Sequence, residues 1–152
     1  MMNYKVRAIP ASEFPAELME QKRDYNRDEF MKLAANPGAM MYTYVIEDDD
    51  GVVCAFWCHS NKIYNSIFID TFVVADKHRT PDVVRRCVEV AYAILEPLGE
   101  KLGVDKVCFG MYPPLAEKFL KYCDSRASIT EWLITVDMSK DVDGKDKAQE
   151  EE

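Results

Sequence analysis

The sequence predicts an α+β (α/β) domain built on a mixed, mainly antiparallel sheet with helices on both faces. Three observations carry this. Apolar, strand-like segments at 40–47, 52–59 and 67–74 follow one another through short polar turns, the connectivity of an antiparallel meander. A long amphipathic run with a helix-start signal begins at once from Thr80. A further strand-like stretch, 104–111, comes after that run, so a helical crossover joins it to the sheet.

Tyr4 to Ile9 alternates and reads as a short first strand, closed by Pro10. Ser12 is the expected N-cap of a helix with Pro15 near its start and Phe14, Leu18 and Met19 on one apolar face. A second helix is expected over 27–35, with Phe30, Met31 and Leu33 facing inward and Asn36-Pro37-Gly38 stopping it. Asp48-Asp49-Asp50-Gly51 supplies the first hairpin turn, because Asp-Gly tolerates the positive φ that a tight turn needs. Asn61 and Asn65 mark the second turn. Thr80 caps the long helix, Pro81 takes its first position, and Asp82 suits its positive dipole end. Val83, Val84, Cys87, Val90, Ala91, Ile94 and Leu95 then recur at helical spacing. Pro97 is expected to bend or end this helix, with 98–102 as a short continuation and Gly103 as the stop. Strand 104–111, a short helix at 115–122 and a last strand at 128–138 complete the order β-α-α-β-β-β-α-β-α-β.

A chain of 152 residues suffices for one domain with a real core. The expected division is a folded domain over 1–138 and an acidic tail, 139–152, with the composition of disorder. A net charge of −8 argues against nucleic acid and anionic lipid as partners and suits a small-molecule amine or a basic peptide, with a homodimer left open. No apolar run approaches the roughly 18 residues of a membrane helix, and MMNYKVRAIP lacks a signal peptide's apolar block, so a cytoplasmic protein is expected. The five cysteines, an odd number mostly in apolar segments, read as free thiols of a reducing compartment. Cys54, Cys58 and His59 look like metal ligands on paper. In a strand, however, Cys54 and Cys58 share one face and His59 points to the other, so no metal is expected.

The element order resembles the GNAT superfamily of N-acetyltransferases across residues 3–138. In that family the fourth strand leads into an Arg/Gln-x-x-Gly-x-Gly/Ala loop and a long helix. The loop amides bind the pyrophosphate of acetyl-CoA, and the pantetheine arm lies between the fourth and fifth strands. Here Val74 matches the apolar strand end and Arg79 the loop arginine, while Thr80, Asp82 and Val84 stand where glycines are usual. The resemblance assigns cofactor contacts to Val73, Val74, Arg79, Thr80, Asp82 and Val83, with acetyl-CoA as co-substrate. The departures have physical weight. Glycine lets backbone and phosphate approach closely, Pro81 lacks an N–H, and Asp82 brings a carboxylate toward the phosphates. Farther on, PPLAEKFLKY (113–122) resembles the family's Asn-x-x-Ala-x-x-Leu/Phe-Tyr segment. Ala116 and Phe119 match, and Leu120 stands where a tyrosine often acts as general acid. Tyr122, two residues on and about 200° round a helix, takes that role only with a change of register, and Tyr112 at the strand end is the other candidate.

Asp70 is the candidate general base. It is the one acid in an apolar strand, where desolvation raises a carboxyl pKa toward a useful range. A solvated strand face, or an ion pair with a lysine, is the competing account. No serine, cysteine or histidine constellation supports a covalent nucleophile. The resemblance therefore implies an acetyl-CoA-dependent N-acyltransferase working by direct attack of an amine. The glycine-free loop keeps open a catalytically inactive GNAT-like binding or structural protein.

Overall fold

The computed structural model describes residues 3–22, 25–36, 38–63 and 65–109. The elements are β1 (Lys5–Ala8), α1 (Ala16–Met19), α2 (Arg27–Ala34), β2 (Tyr42–Asp48), β3 (Gly51–Asn61), β4 (Ser66–Val74), α3 (Pro81–Leu102) and β5 (Val107–Cys108). They form one five-stranded sheet in the order β1-β2-β3-β4-β5. The first three pairings are antiparallel and β4·β5 is parallel, so the sheet is mixed and mainly antiparallel. The helix expected at 115–122, the strand at 128–138, the tail at 139–152, Tyr112 and Tyr122 lie outside the described residues.

Strand alternation sorts the core into two layers. On one face Val45, Ala55, Trp57 and Val73 meet Phe14, Leu18 and Phe30 from the α1 and α2 region. The Phe14 ring packs edge-on against Phe30 and Trp57, with centroids at 5.7 and 5.1 Å. On the other face Ile46, Cys54, Phe56, Cys58, Ile67, Ile69 and Val74 pack with Cys87, Ala91 and Leu95 of α3. The chain from β2 to α3 follows the expected pattern. Gly51 has φ 131° in the first hairpin, and Thr80 Oγ1 accepts the Val83 N–H at the start of α3.

Four expectations are corrected. Ser12 lies in a 3-10 turn and makes no side-chain cap; Pro10 and Pro15 precede the two short helical segments instead. Met31 and Leu33 are 53% and 41% exposed, because the buried stripe of α2 is only Phe30 and Ala34, one turn apart. Pro97 neither ends nor divides α3, which runs unbroken for 22 residues to a left-handed Gly103 at φ 76°. Pro97 and Ala93, whose carbonyl loses its donor, are both exposed, so that carbonyl is open to solvent. Within the described part of 104–111, only Val107–Cys108 is strand. One buried residue carries a close approach. A Cβ on Gly99 would lie 2.7 Å from the Val104 carbonyl oxygen, and the Val104 N–H donates to the Gly99 carbonyl at 2.8 Å.

Candidate active site

The site begins with a slip in strand pairing. Trp57 lies opposite Thr71 and Cys58 opposite Ile69, so Asp70 is an extra residue, a bulge in β4. Ile69 packs toward α3 and Asp70 leaves on the opposite face, the face of His59. There His59 Nδ1 and Asp70 Oδ2 are 2.7 Å apart, with side chains 36% and 28% exposed. The Phe68 ring lies beside the imidazole, centroids 5.7 Å apart. The pair opens on a depression of about 420 Å³ lined by Gly38, Ala39, Met41, His59, Ser60 and Asp70.

The lone acid of the apolar strand therefore has a partner, an imidazole and not a lysine. The sequence reading put His59 on the face away from Cys54 and Cys58 but gave it no role. Nothing local signals its meeting with Asp70, which depends on the bulge. Cys58, on the buried side of the same strand, is no rival nucleophile. Burial, and then the nearby Asp70 carboxylate, push its thiol up to about 12. Cys54 and Cys87 are also buried free thiols, and burial holds Cys54 well above the ordinary cysteine range. Among the described residues no group of three His, Cys, Asp or Glu side chains could hold a metal ion. No helix among them is long and apolar enough to cross a membrane.

The second part of the site is the connection from β4 to α3. Val73 and Val74 are buried on opposite faces of the sheet. The Ala75 N–H donates to the Val53 carbonyl at 2.8 Å, so by alternation the polar groups of Val73 also turn into the β3 ladder, while those of Val74 turn away. The Val74 carbonyl is taken twice, by Gln21 Nε2 and by Arg79 Nη2, each at 3.1 Å. Arg79 also pairs with Asp76 at 3.3 Å. The loop amides are largely committed as well. Asp76 N–H donates to Gln21 Oε1, His78 N–H to Ala75, Arg79 N–H to Asp76, Thr80 N–H to His78, Val83 N–H to Thr80 Oγ1 and Val84 N–H to Thr80. Pro81 has no N–H, and Asp82 stands exposed at the second helical position.

For a pyrophosphate, then, this loop forms no cradle of glycine amides. What it leaves are the amides of Lys77 and Asp82 and the side chains of Lys77 and His78, none with a partner among the described residues. That set fits a phosphate through side-chain charge, not through a close backbone wrap.

No known family's sequence pattern and no curated protein sequence matches the chain. Solved structures do. Aminoglycoside N-acetyltransferase AAC(6')-Iy, in complex with CoA, aligns at TM-score 0.65 and 12% identity over 90% of this chain and 95% of its own. The aminoglycoside 6'-N-acetyltransferase AAC(6')-Ih from Acinetobacter baumannii gives 0.62 at 8% identity, over 89% of this chain and 97% of that one. The ribosomal-protein-alanine N-acetyltransferase from Brucella melitensis biovar Abortus gives 0.58 at 16% identity, over 89% and 98%. At such identities the likeness establishes the fold alone.

Proposed function

From the premise that this chain has the fold of the GNAT acetyltransferases, we propose that it is an acetyl-CoA-dependent N-acyltransferase acting on an amine by direct attack. The observation that carries this reading is the Asp70–His59 pair, set by a bulge in β4 at an open depression. Lys77 and His78 side chains, with the amides of Lys77 and Asp82, would hold the pyrophosphate. Arg79, Thr80 and Val83 shape the loop, and Val73 and Val74 form the strand end beside it. The bound co-substrate supplies a reactive thioester. The chain's own part is to seat the amine and take its proton, because an ammonium has no lone pair for attack. An acidic chain facing a depression with a carboxylate suits a cationic small-molecule amine or a basic peptide. Tyr112 and Tyr122 are proposed as proton donors to the departing thiolate.

A second reading rests on the loop. Committed amides and missing glycines favour a GNAT-like binding protein without catalysis. Thermal unfolding with and without millimolar acetyl-CoA separates the two. At about 100 times its dissociation constant a ligand adds about 2.7 kcal/mol, several degrees in a domain of this size. A clear rise in Tm, followed by thiol release on adding amines, supports the enzyme. No shift with acetyl-CoA or CoA leaves the binding protein.

A further inference from the structure

We infer that the proton acceptor is Nε2 of His59, with Asp70 as a positioning residue and not the base itself. This rests on the acyltransferase reading and assigns its proton step to one atom. The argument is geometric. An ionised carboxylate oxygen only accepts, so at 2.7 Å from Asp70 Oδ2 the His59 Nδ1 must carry the hydrogen. A neutral imidazole held that way has its lone pair on Nε2. Asp70 Oδ2 is thereby occupied, whereas the free imidazole nitrogen belongs to the residue class best suited to accept a proton near neutral pH. The packing supports the assignment. The Phe68 ring flanks the imidazole, and both His59 and Asp70 line the open depression.

The step balances. An N–H bond of the ammonium breaks and an Nε2–H bond forms. The electron pair stays on the amine nitrogen, which can then attack. The imidazolium lies against the Asp70 carboxylate, and its Nε2 proton passes to water to restore the neutral ring.

Nitrogen-15 spectra of the imidazoles in the full chain test the pairing. The chain has two histidines, so His78→Gln assigns them. His59 is expected in the Nδ1–H form, and Asp70→Ala is expected to return it to the Nε2–H form that free imidazole side chains favour. In acyl transfer, His59→Ala is expected to lose about 10²–10⁴-fold in kcat with little change in KM. Added imidazole should restore part of that rate, a result no merely structural role gives. Circular dichroism checks that the variant is folded. An Nε2–H tautomer in the unmodified chain, or His59→Ala at full kcat, overturns the inference. A protein that binds acetyl-CoA but acylates no amine defeats the functional reading and with it the proton role, while the spectra still decide the pairing.

Discussion

The middle of β4 and its C-terminal end treat their polar groups in opposite ways. At the bulge, an extra residue throws a carboxylate out of the ladder, where a single imidazole meets it at the edge of an open depression. At the strand's far end, Gln21 and Arg79 both close on the Val74 carbonyl, and the loop consumes most of its own amides before α3 begins. The bulge leaves chemistry available. The second has spent its hydrogen bonds on shape. The strand keeps a paired carboxylate and imidazole, whereas the loop keeps the side chains of Lys77 and His78, unpaired among the described residues.

α3 runs beneath both ends. Its cap lies by the loop, and its last turn, at Gly99, lies against Ile67 at the start of β4. The largest expected effect belongs to the bulge. An unfolded cysteine releases its proton near pH 9, whereas folded Cys58 keeps it to about 12. Between those values the unfolded state binds fewer protons. This group's contribution to stability therefore falls as pH rises, by at most about 1.4 kcal/mol per unit. Urea midpoints at pH 8, 9.5 and 11 should show that slope, reduced in Cys58→Ala. Asp70→Asn should flatten it slightly, since the carboxylate is the second cause of the shift.

Next comes Gly99→Ala. Its methyl meets the backbone oxygen of Val104 at 2.7 Å, and backbone yields less readily than a side-chain tip. A loss of about 1–3 kcal/mol is expected in chemical denaturation. An unchanged midpoint would mean that the 99–104 turn adjusts freely and does not anchor the start of β4.

At the loop end the effects are smaller. Arg79→Ala removes one of two donors to the Val74 carbonyl and should cost about 1 kcal/mol, the other donor remaining. Acetyl-CoA titration of the same variant separates the loop's two roles. A lost Tm shift on ligand addition would mean that Arg79 leaves Asp76 to meet phosphate, and a retained shift that it is only a staple. Smallest is Thr80→Ala. Its hydroxyl accepts one amide at 3.3 Å, so about 0.5 kcal/mol, the low end of the capping range, should be lost in thermal unfolding.

The sequence by itself determined what is local. Asp-Gly set the first hairpin turn, Thr80-Pro81-Asp82 began α3, and alternation put Cys54, Phe56 and Cys58 on one face with His59 on the other. Each of these depends on neighbours within a turn or two, so the spacing of residue types suffices. It also located Asp70 as an anomaly, without its partner. Met31 and Leu33 were misplaced because a two-turn helix buries only what its neighbours cover, and Pro97 because exposure decides whether an orphaned carbonyl is costly. Tertiary structure alone decided the His59–Asp70 pair, Arg79 turned back on its own strand, and the need for glycine at 99. A one-residue slip in register, a side chain's competing partners and the distance between two backbones are properties of segments brought together, and no stretch of chain carries them alone.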